Sequence, residues 1–275
     1  MPIKKAVIIA AGFGTRFLPA SKAIPKVLLP VGNKTVLDYL LEELKAARIH
    51  DVLLVVSENE TMIKNYLSRN KKLESWLAKN KKDKQLKELK SRHAGMRIKT
   101  IRQSGAYGSA TPVLNAEKWV GKNPFLLLVS DELFLHTKTP RIDAVKTAFK
   151  QTDSSIFGIV KTDDAGTNKY GIVEGKIGAH GYMSVDKNFE KPGPDKTASR
   201  WAAIGTYVLK SDIFKTIKEC GLDERGERSM APVFKKLIEQ ETCIAVPLKG
   251  LHLDTGNPED WLKANIAIMN KKAPR

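Results

Sequence analysis

The first part of the chain alternates between the hydrophobic periods of strands and of a helix. Residues 5–11 form a short continuous apolar run, which is typical of a strand buried on both faces. Residues 35–47 place apolar side chains every three or four positions and predict an amphipathic helix, capped at its start by Thr35 and Asp38. Residues 51–56 are a second buried strand. This order predicts a β-α-β unit with a parallel sheet.

The later part of the chain continues the same alternation. Further strands are predicted at 98–102, 125–129, 155–160 and 201–209, and helices at 110–119, 211–219, 231–239 and 258–271. One or two surface helices are predicted within 61–90. Because the sequence has neither an internal repeat nor a Pro/Gly/Ser linker, we predict a single α/β domain over residues 1–275. Its central sheet is expected to be mixed but mostly parallel and flanked by helices, with an inserted or antiparallel sub-region at about 155–205.

The charge of the chain is its unusual compositional feature. There are 47 Lys and Arg residues against 30 Asp and Glu, which gives a formal net charge of +17. Such an excess favours nucleic acid, an anionic membrane or phosphorylated small molecules as partners, but it is equally consistent with a solvated lysine-rich surface. Charge alone therefore selects no function.

Cysteine spacing and hydropathy narrow the class of protein. Cys220 and Cys243 have neither zinc-ligand nor redox-pair spacing, so a disulfide-stapled fold is not expected. The apolar run near the N-terminus is too short for a signal-peptide core, and no stretch approaches the ~20 apolar residues that cross a bilayer. We therefore expect a soluble, cytoplasmic protein without a membrane partner.

The glycine-rich segment after the first strand carries the candidate chemistry. Ligands of open parallel sheets bind at the carboxyl ends of strands, and Gly12 and Gly14 would let the backbone approach a phosphate there. Arg16 and Lys26 would add cations suited to phosphate oxygens. The dinucleotide fingerprint needs a third glycine where Phe17 stands, and the NTPase phosphate loop needs Gly-Lys-Ser/Thr, so both are excluded. A simple turn without a ligand remains the alternative for the glycines alone.

The stretch AAGFGTRFLPASKAIPK, residues 10–26, resembles the signature of the sugar-1-phosphate nucleotidylyltransferases. Within them it is most similar to the bacterial UTP–glucose-1-phosphate uridylyltransferases, also called UDP-glucose pyrophosphorylases. The resemblance extends over nearly the whole chain and implies a Rossmann-like nucleotidyltransferase fold. It implies that the catalytic cations are Arg16, Lys26 and Lys191, and that the nucleotide is bound by Ala11, Gly12, Gly14, Thr15, Gln103 and Gly108.

Four later stretches follow in the order of this family, and each has its own chemistry. They are RQSGAYGSA at 102–110, FLLLVSDELF at 125–134, KYGIVEG at 169–175 followed by NFEKPG at 188–193, and LHLDTGNPEDWLKAN at 251–265. Gln103 offers a donor and an acceptor to a nucleobase edge, and carboxylates suit Mg²⁺. The resemblance implies that Asp131 and Asp254 hold Mg²⁺, and that the sugar and its phosphate are bound by Gly171, Glu190 and Lys191. It therefore implies that the inserted sub-region at about 155–205 binds the sugar.

The resemblance implies condensation of UTP with glucose 1-phosphate, possible homo-dimers or homo-tetramers, and no nucleic-acid partner. Two positions depart from the uridylyltransferase pattern: Val27 stands where those enzymes usually carry glutamate, and Ser109 interrupts their usual G-L-G-H-A. Another nucleotide (dTTP, CTP or GTP) or another sugar phosphate therefore stays open. A different class of function is also open, namely a basic nucleic-acid-binding or regulatory module that uses the lysine-rich stretch 71–92.

Overall fold

The computed structural model describes residues 2–57 and 60–270. Its strands are β1 (Lys5–Ala10), β2 (Pro30–Val31), β3 (Lys34–Thr35), β4 (Asp51–Val56), β5 (Arg97–Arg102), β6 (Phe125–Val129), β7 (Glu132–His136), β8 (Ser155–Lys161), β9 (Gly171–Ile177), β10 (Met183–Glu190), β11 (Trp201–Leu209), β12 (Cys243–Pro247) and β13 (Gly250–Asp254). Its α-helices are α1 (Val36–Ala46), α2 (Glu60–Leu67), α3 (Lys71–Lys79), α4 (Asp83–Ser91), α5 (Thr111–Asn115), α6 (Glu117–Val120), α7 (Arg141–Thr152), α8 (Asp164–Thr167), α9 (Ile213–Cys220), α10 (Met230–Gln240) and α11 (Pro258–Met269).

The main sheet has the strand order β5-β4-β1-β6-β11-β8-β12-β10-β9. The strands β5, β4, β1 and β6 are parallel to one another, whereas β11 runs antiparallel to both of its neighbours β6 and β8. Strand β12 is parallel to β8, and β10 is antiparallel to β12 and β9. The predicted α/β fold with a mixed sheet and flanking helices is confirmed. Parallel pairing, however, is limited to the N-terminal half and to β8 with β12.

The strand β1 is buried on both faces, which explains its continuous apolar sequence. Ala6 and Ile8 belong to the core that α1 covers, and Val7 belongs to the core on the opposite face with Val113 of α5. Alternate residues of a strand point to opposite faces of a sheet, so a strand with a helix on each side must be apolar at every position. Its pairing with β4 and β6 makes β1 an interior strand of the parallel half of the sheet.

Several helices differ from the predicted ones. The segment 61–90 forms the three helices α2, α3 and α4, and the helix predicted at 110–119 is interrupted at Ala116 between α5 and α6. Helix α7 was not predicted. The C-terminal helix begins at Pro258 and ends at Met269, and the last predicted position, 271, lies outside the described residues. The assignment of 155–205 to an inserted sugar-binding sub-region stays a prediction.

Within residues 2–57 and 60–270, no helix is both long enough and apolar enough to span a bilayer.

Asp38 ties α1 to the helical segment that follows β4. The side chain of Asp38 is fully buried (0% exposed). Its carboxylate is bonded by four groups, the Thr35 backbone N–H, the Tyr66 hydroxyl, Arg92 and His93. Burial alone would raise the pKa of Asp38, but the hydrogen bonds from His93 and Tyr66 and the charge of Arg92 lower it to about 2. The folded state therefore favours the ionised carboxylate.

We expect Asp38→Asn to lower the free energy of unfolding near neutral pH by about 3–5 kcal/mol, because the mostly buried Arg92 loses its buried charged partner and keeps only the exposed Glu88. The pKa of Asp38 is about 2 in the folded protein against an ordinary value of 3.8. The contribution of the ionised form is therefore fully present above about pH 4 and is lost as the pH falls toward about 2. Urea unfolding of both proteins near pH 7 and near pH 3 measures the difference.

The matched control is Asp51→Asn, which removes an exposed ion pair with Arg97 (Oδ1 to Nε, 2.6 Å). Its cost should stay below about 1 kcal/mol because surface pairs are screened by solvent. A loss in Asp38→Asn that is as large near pH 3 as near pH 7 would contradict a role for the ionised carboxylate.

Candidate functional site

Three predicted site segments follow neighbouring parallel strands and therefore meet at one edge of the sheet. Gly12 and Arg16 follow β1, Asp131 follows β6, and Gln103 follows β5. The hydrogen bonding between parallel strands continues one residue past the ends of β5 and β6, since Gln103 N donates to Val56 O (2.8 Å) and Ser130 N donates to Ile9 O (3.1 Å). Carboxyl ends of parallel strands share an edge, so these side chains lie together as the sequence predicted.

Gly12 and Gly14 of the first loop are glycines for different structural reasons. Gly14 has φ +66°, and a Cβ added there would lie 3.1 Å from Cβ of Ser21, so both conformation and space favour glycine. A Cβ at Gly12 would meet no described heavy atom within 4 Å. Gly12 instead lines the cleft, where the missing side chain leaves its backbone accessible. Thr15 and Arg16 then form a 3₁₀ turn with the buried Phe17.

The loop around Gly108 pairs through its backbone with the segment before α10. Arg228 N donates to Tyr107 O (2.7 Å), and Ala110 N donates to Arg228 O (2.9 Å). A Cβ on Gly108, which has φ +125°, would lie 2.3 Å from the carbonyl oxygen of Arg228. Only glycine fits this close approach. Phe13 of the first loop also stacks on Tyr107, with ring centroids 5.7 Å apart, so the two loops are in contact.

Ser109 and Val27, the two residues that depart from the uridylyltransferase pattern, each make defined contacts in the structure. The Ser109 hydroxyl accepts a hydrogen bond from Met230 N (2.9 Å) and so helps to satisfy the first turn of α10. Val27 is 2% exposed, packs into the core beneath the first loop and lines the cleft beside Lys26. Ser109 therefore supports a helix start, and Val27 presents an apolar wall.

The ribbon of β7 and β13 brings the two predicted metal ligands together. Asp254 pairs with Glu132 in this antiparallel ribbon, which places Asp254 next to Asp131. Thr255 N donates to Asp131 O (2.7 Å) and holds the two chain segments together. A Cβ on Gly256 would lie 2.8 Å from Asp254 Oδ1 and 3.2 Å from Asp131 Oδ2. The absent side chain leaves a space that both carboxylates face.

This pair of carboxylates fits a divalent cation. Hard oxygen ligands suit Mg²⁺, which in phosphate-transfer sites is usually held by one or two carboxylates and by substrate phosphates. Residues 2–57 and 60–270 contain no group of three or more His, Cys, Asp or Glu side chains arranged to hold a metal. The remaining ligands would therefore be phosphate oxygens and water.

Asp131 and Asp254 are each paired with a lysine, and the lysine beside Asp254 was not predicted from the sequence. Lys26 Nζ lies 2.5 Å from Asp131 Oδ2, and Lys169 Nζ lies 2.7 Å from Asp254 Oδ2 and also pairs with Asp260. Burial alone would lower the pKa of Lys169, but its hydrogen bonds to Asp254 and Asp260 raise it, so the ammonium stays charged. Its position directly before the YGIV stretch was the only available signal.

The hairpin of β9 and β10 forms the opposite wall. Its register places Gly171 across from Glu190, and a Cβ on Gly171 would lie 3.7 Å from Glu190 Oε2. Lys191 follows directly and has φ +46°, a left-handed conformation that costs free energy in a residue with a side chain. Its N–H donates to the carbonyl oxygen of Tyr170 (3.3 Å). Such strain is typical of functional positions.

The site is a cleft made of two adjoining cavities, each of about 500 Å³, that share Arg16, Asp131 and Lys191. One half is lined by four of the six predicted nucleotide-binding residues, Ala11, Gly12, Gln103 and Gly108, and also by the predicted catalytic Lys26 and by Glu190. The other half is lined by Lys169, Tyr170, Asp254 and Asn257. The predicted residues Gly14, Thr15 and Gly171 shape the neighbouring backbone and do not line either half.

A larger cavity of about 710 Å³ lies beside α2, α3 and α4. Its arginines are already paired, Arg69 with Glu74 and Arg92 with Asp38. The cleft at the sheet edge, where predicted residues from five segments converge, is therefore the better candidate.

Buried polar groups behind the cleft hold the ribbon in place. Arg141 of α7, 2% exposed, donates to the backbone carbonyl of Glu132 (3.2 Å) and pairs with Glu43 at 2.7 Å. Glu132 turns its own carboxylate inward, where it accepts from Gly205 N (2.7 Å) and contacts His252 Nε2 (3.0 Å). These contacts position the backbone next to Asp131, and sequence reasoning assigned neither Glu132 nor His252 a role.

Comparison with known proteins agrees with this geometry. The model of the family described as Nucleotidyl transferase matches residues 5–271. A relative from Staphylococcus saprophyticus, UTP–glucose-1-phosphate uridylyltransferase 1, is 32% identical over 98% of this chain and 94% of its own length.

Two solved structures are similar over nearly their whole length. The crystal structure of an apo-UDP-glucose pyrophosphorylase superposes with a TM-score of 0.92 at 27% identity, covering 98% of this chain and 99% of that one. The UTP-bound UGPase from Acinetobacter baumannii has a TM-score of 0.89 at 27% identity, covering 98% and 94% of the two chains. On the match over residues 5–271 and the full-length relative, the chain belongs to the nucleotidyl transferase family.

Proposed function

We propose that this enzyme condenses UTP with glucose 1-phosphate to give UDP-glucose and pyrophosphate. The observation that carries the proposal is the single cleft in which a glycine loop, Gln103, two convergent aspartates and the Glu190–Lys191 pair meet. Support also comes from the full-length relative named for this reaction and from the similar protein solved with UTP.

In this proposal the nucleotide occupies the half of the cleft lined by Gly12 and Gln103, and the sugar phosphate lies at the border between the two halves. We propose that the backbone of Ala11, Gly12, Gly14 and Thr15 approaches the nucleotide and that Gln103 reads the base edge, with Gly108 packed beside it. A carboxylate accepts hydrogen bonds from sugar hydroxyls, so Glu190 would hold the glucose together with the backbone at Gly171. Lys191, which borders both halves, would hold the sugar phosphate where the two substrates meet.

The chemistry is an in-line attack of a glucose 1-phosphate oxygen on the α-phosphorus of UTP, with pyrophosphate leaving. The attacking oxygen is already anionic near neutral pH, so no general base is needed. The protein must bring two polyanions together: two unit charges 4 Å apart interact by about 1 kcal/mol in water but about 4 kcal/mol at an effective dielectric constant near 20. Arg16 and Lys26 would offset the charge on the triphosphate and on the departing pyrophosphate. Mg²⁺ held by Asp131 and Asp254 would supply further neutralisation of phosphate charge.

The substrate pair is tested by measuring pyrophosphate release with UTP, dTTP, CTP and GTP, each against several sugar 1-phosphates. We expect the highest kcat/KM for UTP with glucose 1-phosphate. The same reaction with another nucleotide or sugar remains the alternative, because Val27 and Ser109 border the nucleotide half. A higher kcat/KM for another pair would replace our substrate assignment and leave the family unchanged.

The lysine-rich stretch 71–92 is the basis of the nucleic-acid alternative. None of these residues, all of which the structure describes, lines either half of the cleft. A salt-dependent gel shift measured beside turnover tests this alternative directly. We further propose a cytoplasmic location, where both phosphorylated substrates are available, and self-association into a dimer or tetramer, which light scattering measures.

A further inference from the structure

Lys169 differs from the other cations of the cleft because it lies between two carboxylates. Its Nζ is 2.7 Å from Asp254 Oδ2, and it also contacts Asp260 in the first turn of α11. Lys26, by comparison, pairs with Asp131 alone. Lys169 therefore keeps one acidic partner when Asp254 binds something else.

Asp254 has both of its carboxylate oxygens occupied by protein donors. Gly256 N donates to Oδ1 (2.6 Å), and the Tyr170 hydroxyl shares Oδ2 with Lys169, at 3.3 Å. A divalent cation that binds Oδ2 must therefore replace the ammonium of Lys169 there.

The charges around the cleft make this replacement depend on a phosphate ligand. Arg16, Lys26, Lys169 and Lys191 all border it. A metal ion adds two positive charges to this group, and an anionic ligand offsets the repulsion. Lys169 lines the same half of the cleft as Lys191, the lysine that we assign to the sugar phosphate, so an ammonium released from Asp254 stays in the cavity that Lys191 also lines.

We infer that the ammonium of Lys169 occupies the place of a metal ion and neutralises Asp254 until a divalent metal ion binds there. The released ammonium, still held by Asp260, then binds the phosphate of the sugar 1-phosphate. The inference rests on the proposed function. It makes metal and sugar phosphate bind cooperatively, because the metal frees the ammonium that the phosphate uses, and linkage requires the effect to be reciprocal.

The first test measures Mn²⁺ affinity without nucleotide, by the electron paramagnetic resonance signal of free Mn²⁺. Lys169→Met should bind Mn²⁺ about tenfold more tightly than the wild type because the competing ammonium is gone, whereas Lys169→Arg should stay weak because the charge is kept. The matched control is Lys263→Met, since Lys263 pairs with Glu259 (2.6 Å) and lies 4.0 Å from Asp260 without a contact to Asp254. Its affinity should equal that of the wild type.

The second test measures glucose 1-phosphate binding by calorimetry with and without Mn²⁺. In the wild type Mn²⁺ should strengthen binding about tenfold, and Lys169→Met should lose most of this coupling. Unchanged Mn²⁺ affinity or unchanged coupling in Lys169→Met overturns the inference. Asp131→Asn distinguishes a failure of the proposed metal site from a failure of the proposed role of Lys169. If this variant leaves Mn²⁺ binding intact, the proposed metal site itself is wrong. If Asp131→Asn abolishes Mn²⁺ binding and Lys169→Met changes nothing, only the role of Lys169 is wrong.

Discussion

Replacement of Asp131 by asparagine is expected to lower Mg²⁺-dependent pyrophosphate release by about three orders of magnitude or more, which corresponds to a loss of about 4 kcal/mol in the transition state. The side chain of Asp131 faces the space beside Gly256 together with Asp254, and asparagine cannot supply the charge that a metal ion needs. Turnover of UTP and glucose 1-phosphate at saturating Mg²⁺ is the measurement.

The fold should survive the Asp131→Asn substitution. Thr255 bonds to the backbone carbonyl of residue 131 through both its N–H (2.7 Å) and its hydroxyl (2.9 Å), and asparagine keeps that carbonyl. Circular dichroism and thermal unfolding should therefore match the wild type. Asp143→Asn, which removes an exposed carboxylate on α7 (Oδ1 3.7 Å from Lys146 Nζ), is the control and should leave turnover unchanged. Wild-type turnover in Asp131→Asn would show that the metal assignment is wrong.

Arg16→Ala should lower kcat by about 10²–10³-fold, or about 3–4 kcal/mol, because it removes a preorganised cation from the place where charge develops on pyrophosphate. Arg16 borders both halves of the cleft, and its guanidinium donates to Gly256 O at 3.4 Å, so the chain holds it at the junction of the two halves, where we propose that the substrates meet. Arg16→Lys should recover only part of the rate, since a point charge lacks the two-pronged geometry of guanidinium. Steady-state kinetics with UTP varied separates the effects on kcat and KM.

Lys22→Ala is the matched control for Arg16→Ala. Lys22 is an exposed cation in the same segment, in the 3₁₀ turn Ala20–Lys22, and it is not among the residues that line the cleft. Its removal should change kcat less than twofold, because an exposed charge outside the site is screened by solvent and salt. Equal losses in both variants would mean that the general charge of the segment matters, and the specific role of Arg16 would then be incorrect.

The local structure of the first half of the chain was predictable because short-range rules control it. The helix cap at Thr35 forms as expected, with the Asp38 backbone N–H donating to the threonine hydroxyl at 3.1 Å. The run 51–56 is the buried strand β4. By contrast, α7 has a weakly apolar sequence and is held by Arg141, whose partners Glu43 and Thr206 are remote in sequence. Periodicity carries no information about such partners.

The candidate site was predictable in its residues and less so in its connections. The sequence indicated Asp131 and Asp254 through resemblance, whereas their proximity depends on the pairing of β7 with β13. It also gave no sign that Lys169 bridges Asp254 and Asp260, because a lysine in a loop is ordinary surface composition. Ion pairs of this kind depend on side chains brought together from different elements.

The sequence by itself determined the strand-helix-strand order of residues 5–56, the glycines after β1, and the positions of Gln103 and Asp131 at the ends of parallel strands. These features follow from hydrophobic period and from strand direction, which are properties of short segments. Only the tertiary structure decided that Gly108 must be glycine, because Arg228 approaches it, and that both carboxylates of the proposed metal site are paired with lysines. Those facts depend on the registers and loop contacts that folding sets between segments far apart in the chain.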